Sequence, residues 1–110
     1  MVVNAPARTL EQRLSALERA NEIRVTRAAW KRDVKAGRAS VRELVQEPPW
    51  WAASMKVHDA LMVMPKLGRV KVGRMLARQS ISPSKTIGGM TGRQRLAIVA
   101  FLLERERLVR

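Results

Sequence analysis

Between residues 60 and 103 the chain places Lys66, Arg69, Lys71, Arg74, Arg78, Lys85, Arg93 and Arg95, and no Asp or Glu. A surface carrying this much unpaired positive charge repels itself until a polyanion neutralises it, and nucleic acid is the commonest such partner. The densest part is Met64-Pro65-Lys66-Leu67-Gly68-Arg69-Val70-Lys71-Val72-Gly73. Pro65 stops one helix, Gly68 permits a sharp or left-handed turn, and a second, basic helix begins at once. The first N–H groups of that helix have no partner within it. With the positive end of the helix dipole behind them, they suit a phosphate oxygen. Lys66, Leu67, Gly68, Arg69, Val70, Lys71 and Arg74 are therefore expected to form a phosphate-binding turn, with Lys85 and Arg93 beside it. A lone P-x-x-G also occurs in ordinary helical hairpins; the basic helix and the missing acids set this one apart. Such contacts fix position on a backbone and carry little base-sequence information.

A second basic series, Arg24, Arg27, Lys31, Lys35 and Arg38, advances in steps of 3, 4, 4 and 3. On a helix reaching Arg38 these side chains share one face. The face is either simply solvated or a stripe that follows phosphates. Asp33 is the only acid between Arg24 and Arg38, so pairing within the helix cannot neutralise it, which favours the stripe.

Other chemistry is thinly supplied. The chain has no Cys and one His, His58. Disulfides, thiolate zinc sites, Cys nucleophiles and His-rich metal sites are excluded, and no metal or cofactor is expected. His58 and Asp59 are neighbours on a helix and face different ways. No paired carboxylates or Ser–His arrangement appear, so no catalytic residue and no enzyme is expected. Tyr is absent and Phe101 is the only Phe, which argues against stacking platforms for single strands. No leader with a basic start and an apolar core is visible. The longest apolar run, residues 96–103, is far too short to span a membrane. A cytoplasmic location follows as the expectation.

The elements that must position these residues are helical. The 110 residues carry 22 Lys and Arg against 9 Asp and Glu, for a net charge of +13, and suffice for one small domain plus an arm. Residues 1–8 are expected to be a disordered lead. Thr9 to Gln12 reads as a capping box, and residues 10–36 hold no Pro or Gly, which predicts a long helix stopped at Gly37. Leu10, Leu14 and Leu17 make one apolar stripe on it, and Ile23, Trp30 and Val34 another. Ser40-Val41-Arg42-Glu43 starts a short connecting helix, completing a unit over 9–47. Residues 48–54 form a Pro/Trp linker whose Trp50 and Trp51 are expected in core or hinge packing. Residues 55–110 form the remaining domain. There Ser54 caps a helix carrying Val57 and Leu61 inward and ending at Met64-Pro65. A second helix over 69–79 buries Val72, Met75 and Leu76. Thr91-Gly92-Arg93-Gln94 caps the last helix, with Leu96, Val99, Leu102 and Leu103 as core. No stretch alternates with period two long enough for a strand, so the fold is expected to be all-α.

In that order the motifs resemble a family. The stretch from Leu61-Met62-Val63-Met64-Pro65 through Met75-Leu76 looks like the helix-two-turns-helix of actinobacterial integration host factor. Thr9-Leu10-Glu11-Gln12-Arg13 resembles its helix start. Arg27-Ala28-Ala29-Trp30-Lys31-Arg32-Asp33-Val34-Lys35 resembles its basic helix end. Met55-Lys56-Val57 and Arg93-Gln94-Arg95 resemble its entry to the globular part and its last helix. The likeness runs from Thr9 to Phe101. It implies a fold like a ribosomal small-subunit protein, and a nucleoid-associated architectural protein. Such a protein binds double-stranded DNA with little sequence preference, bends or compacts it, and assists a phage integrase complex. It implies two DNA-facing surfaces, the long helix and the helix-two-turns-helix, on a monomer, and no membrane association. Two departures stand out. Thr86 and Gly88 occupy positions where the family carries arginines, which implies a weaker hold at that edge, and the tail from Leu103 to Arg110 is longer than usual. A diverged or phage-borne relative is expected. An RNA- or rRNA-binding module, and a phage regulator acting through a protein partner, are the alternatives.

Overall fold

The computed structural model describes residues 9–109; the expected lead, residues 1–8, and Arg110 lie outside them. The order is α1 (Leu10–Lys35), α2 (Val41–Gln46), a 3-10 turn at Trp50–Ala52, α3 (Val57–Leu61), α4 (Arg69–Arg78) and α5 (Gly92–Val109). Among the described residues there is no strand, only an isolated antiparallel bridge between Lys56 and Thr86. The fold is all-α.

The capping box that starts α1 is complete. Gln12 N–H donates to Thr9 Oγ1 at 3.1 Å, and Thr9 N–H donates to Gln12 Oε1 at 2.9 Å. Its 26 residues make a rod of about 39 Å at 1.5 Å per residue. The helix closes at Ala36 and Gly37, where φ is +78°, a left-handed residue that glycine adopts without a Cβ clash. Arg38 therefore lies past the helix end rather than on its basic face. Its guanidinium folds back onto Asp33 at 2.9 Å.

Only the second half of α1 is buried against the rest of the chain. Trp30 and Val34 are buried and Ile23 is half-buried, whereas every residue from Leu10 to Glu22 is exposed. The projecting half explains a radius of gyration of 17.1 Å, against about 13 Å for a compact chain of 100 residues.

The core gathers α2, α3, α4 and α5. Leu61, Leu76, Ile87, Ile98, Leu102, Val45, Val57 and Val72 are its largest fully buried side chains. Residues 48–54 lead from α2 into this core. Trp51 tilts against Trp30 with ring centroids 6.1 Å apart, and Ala52 is fully buried. Trp50 instead stays half exposed with the Arg19 guanidinium 4.9 Å above its ring, a cation–π contact. The bridge region is a short zipper. Val57 N–H donates to the Lys85 carbonyl at 2.9 Å, Ile87 N–H to Met55 at 2.8 Å and Gly88 N–H to Ala53 at 2.8 Å.

Three further expectations change. The helix after the tryptophans is not capped by Ser54; it begins after Lys56 and ends at Leu61. It stops early because Pro65 disfavours helical backbone at Met64. The chain closes instead with tight turns, Val63 N–H to Ala60 and Met64 N–H to Leu61. In α5, Leu96 is 72% exposed and Leu103 47%, while Ile98 is fully buried. Ile98 and Leu102 set the inward phase, and Leu96 sits about 200° around the helix from Ile98. The third concerns the phosphate-binding turn, where the left-handed residue is Lys66 at φ +66° and Gly68 is extended at φ −78°.

Candidate nucleic-acid interface

Gly68 is the N-cap of α4 and supplies no side-chain acceptor. The first intrahelical bond on this side is Val72 N–H to the Gly68 carbonyl at 3.0 Å, so the N–H groups of Arg69, Val70 and Lys71 precede the hydrogen-bonded ladder. A Cβ at Gly68 or Gly73 would meet nothing within 4 Å; both flank open space. Lys66, Arg69, Val70, Lys71, Arg74 and Arg78 are all exposed around this end. Leu67 is only 3% exposed. It anchors the turn in the core, and its side chain is closed to a partner.

A shallow groove of about 530 Å³ runs between α4 and α5. Lys71, Arg74, Arg78 and Arg105 border it, and Phe101 with Met75 forms part of its lining. Arg105 also reaches the Lys66 carbonyl at 3.5 Å. Counting charge along the chain passes over Arg105, because Glu104 and Glu106 flank it. Helical phase separates them, since neighbours in sequence point about 100° apart. Glu106 turns away and pairs with Arg42 of α2 at 3.1 Å, so the long tail braces α2 on one side and adds a cation to the groove on the other.

Not every basic side chain is free. Arg95 is half-buried and donates to the carbonyls of Val45 and Ile87. Arg93 is exposed and donates to the Gln79 carbonyl at 3.3 Å. Lys85 is half-buried in the zipper loop. On α1, Arg24, Lys31 and Lys35 are exposed. Arg27 is expected on phosphate, yet its guanidinium has other partners: Nε and Nη2 donate to the Trp51 carbonyl at 3.2 and 3.1 Å, and Nη2 donates to Ser54 Oγ at 2.8 Å. Arg27 thus ties α1 to the 3-10 turn. Among the described residues, none of the four ion pairs involves a cation between 60 and 103.

Thr86 and Gly88, where the resemblance implies arginines, both have close neighbours. The Thr86 hydroxyl accepts from Gly89 N–H at 3.1 Å, bracing the loop. A Cβ at Gly88 would lie 3.0 Å from the Ala53 carbonyl oxygen and 3.1 Å from its Cβ, so a larger residue there must push the zipper apart.

A helix, two tight turns and a second helix with a bare, cation-ringed N-terminus define a class. The sequence profile of the S13-like H2TH domain matches residues 34–102, from the end of α1 to the core-facing part of α5. The chain is also 33% identical over 96 residues to the integration host factor of Mycolicibacterium smegmatis, covering 86% of this chain and 91% of that one. It is 33% identical over 91 residues to the integration host factor of Streptomyces coelicolor, covering 81% and 85%. The solved structure of sIHF bound to an 8-bp palindromic DNA superposes with a TM-score of 0.66 at 30% identity, covering 81% of this chain and 97% of that one. The chain belongs to the actinobacterial integration host factor family.

Proposed function

We propose that this protein is a non-enzymatic architectural factor of the nucleoid. It binds duplex DNA through backbone phosphates with little sequence preference, bends and compacts it, and in that role assists a phage integrase complex. One phosphate-binding surface is the α4 end with Lys66, Gly68, Arg69, Val70, Lys71 and Arg74, joined by Arg105 and flanked by Lys85 and Arg93. The other is Arg24, Lys31 and Lys35 on α1. Arg27 and Arg38 lie beside that stripe, engaged by Trp51, Ser54 and Asp33. Free in solution the chain acts as a monomeric unit.

The observation that carries this reading is the α4 N-terminus: no side-chain cap, five exposed cations from Lys66 to Arg78, and no carboxylate among the described residues paired with any of them. A cap site left empty costs helix stability unless something else satisfies it, and a phosphate does so with charge assistance. The relative solved with DNA shares this fold. The test is duplex binding against salt. The ten cations of the two surfaces at about −0.9 each give a slope of log K against log salt near −9. A slope near zero with retained binding overturns phosphate recognition.

The S13-like profile also favours an RNA reading. Competition decides it: double-stranded RNA that displaces a labelled DNA duplex at lower concentration than unlabelled DNA makes RNA the partner.

A further inference from the structure

The two sides of α5 carry opposite chemistry. Ala97, Phe101 and Arg105 line the cation-bordered groove towards α4. Leu96 and Leu103 point within about 20° of each other and roughly 160–180° away from Arg105. They are 72% and 47% exposed, and Ala100 between them is exposed as well. A free apolar stripe thus runs along two turns of α5, away from the cations. Beside it, Glu43 and Glu47 are exposed and take part in no ion pair among the described residues, although Lys and Arg outnumber acids 22 to 9 in the chain. With Gln46, Leu96 and Val99 they border a hollow of about 630 Å³ between α2 and α5. Arg95 lines it too, but its guanidinium is engaged by the carbonyls of Val45 and Ile87. A second hollow of about 460 Å³ lies further along α5, at Ala100, Leu103, Glu104 and Glu106. Arg42 links the two, donating to Gln46 Oε1 at 2.9 Å and to Glu106 Oε1 at 3.1 Å.

We propose that this α2–α5 face docks a basic amphipathic helix of another protein, with its apolar side on Leu96 and Leu103 and its Lys or Arg side chains against Glu43 and Glu47. Charge complementarity selects that occupant. Phosphates are repelled by the two free carboxylates, and so is an acidic partner. A second copy of this chain does not fit. Presenting the same face would bring like charges together. Its basic α4 and the basic half of α1 turn their apolar residues into its own body. The free stripe of α1, Leu10, Leu14 and Leu17, is accompanied by Glu11, Glu18 and Glu22, so it is not basic. From Leu96 to Leu103 the stripe is about 10 Å long, room for two turns of a partner helix with anchors at i, i+3 or i+4, and i+7. Because the leucines lie across α5 from the cations, the partner and DNA can be held at once. That bridging role rests on the DNA-binding reading; the docking itself does not.

The probe is a fluorescent peptide of about 15 residues built from leucine and lysine, with leucines at the i, i+3, i+4 and i+7 spacing. It is titrated with the full chain in the absence of DNA and followed by anisotropy and by amide shifts of the isotope-labelled chain. The rest of this +13 chain repels a lysine peptide, so binding selects the acidic, apolar face. The expected result is binding that moves the amides around Glu43, Glu47, Leu96 and Leu103. A peptide of the same composition with its leucines scattered should bind at least about fivefold more weakly. Leu96→Ser, which removes an anchor, and Glu43→Gln with Glu47→Gln, which removes the charge, should each cost at least about fivefold in affinity. All three sites are exposed, so the variants keep their core. Duplex binding is read separately, and Leu96→Ser should stay within about twofold of the parent. No shift in α2 and α5 at millimolar peptide, or an affinity indifferent to the variants, overturns the proposal. So does a concentration-dependent dimer of the chain alone that Leu96→Ser abolishes, which would make a second copy the occupant. So does a Leu96→Ser protein that loses duplex and peptide together, which would put DNA on this face. A chain that binds the peptide but no duplex instead overturns the DNA-binding reading and leaves the docking face standing.

Discussion

Replacing Arg27 with alanine removes the guanidinium from three contacts: two with the Trp51 carbonyl at 3.2 and 3.1 Å and one with Ser54 Oγ at 2.8 Å. The first two converge on one oxygen and count as one acceptor satisfied. A hydrogen bond from a charged donor is worth about 1.5–3 kcal/mol. Arg27 and Trp51 are half-buried and Ser54 is exposed, so water replaces part of the loss and the lower end, about 1.5 kcal/mol, applies. For a domain of this size each kcal/mol moves Tm by about 4–8 °C, so the variant should melt about 6–12 °C lower. Arg27→Lys keeps the charge but not the planar fork, and most of the loss should remain. Salt titration of duplex binding supplies the contrast. Arg27→Ala should leave the slope unchanged, whereas Lys31→Ala should make it shallower by about 0.9, one phosphate contact. An Arg27→Ala protein with unaltered Tm and a slope shallower by about one would refute the reasoning, because the guanidinium would then be reading phosphate and not holding α1 to the 3-10 turn.

Lys66→Ala or Lys71→Ala should weaken binding to unrelated duplexes about equally and leave the unfolding free energy within about 0.5 kcal/mol of the parent, since both side chains are exposed; an altered sequence preference in filter-binding selections would show base contact instead. Neutralising Lys31 and Lys35 together should reduce the DNA bend angle with little change in thermal stability, and an unchanged angle would remove α1 from the bending mechanism. Gly88→Arg, which places the charge that the resemblance implies there, should lower stability by about 1–3 kcal/mol through overpacking against Ala53; a parent-like Tm would mean that the zipper loop yields easily.

Local signals made much of this molecule legible before any coordinates. Thr9 and Gln12, Thr91 and Gln94, and Gly37 each act within one turn, and each ends a helix where its type predicts. Pro65 and Gly68 likewise bracket the turns, although the strain of a left-handed residue falls on Lys66. The phase of α5 was not readable, because residues 96–103 are apolar on every side and only the packing of Ile98 and Leu102 chooses between them. The roles of the cations were hardest. A charge count treats Arg27, Arg95 and Arg105 as three positive charges. Whether a guanidinium meets a carbonyl 24 or 50 residues away, or turns out of a Glu-Arg-Glu run into a groove, depends on tertiary placement that periodicity does not encode.

The central claim is that this chain holds DNA in a deformed state, and a duplex of about 30 bp with a dye at each end tests it most directly. Smoothly bending DNA of that length costs of order 1–6 kcal/mol, which the α1 and α4 surfaces must jointly offset. A rise in energy transfer as the duplex saturates is the predicted result. Saturation, verified by anisotropy, with no rise in transfer would contradict it and leave a protein that coats DNA without shaping it.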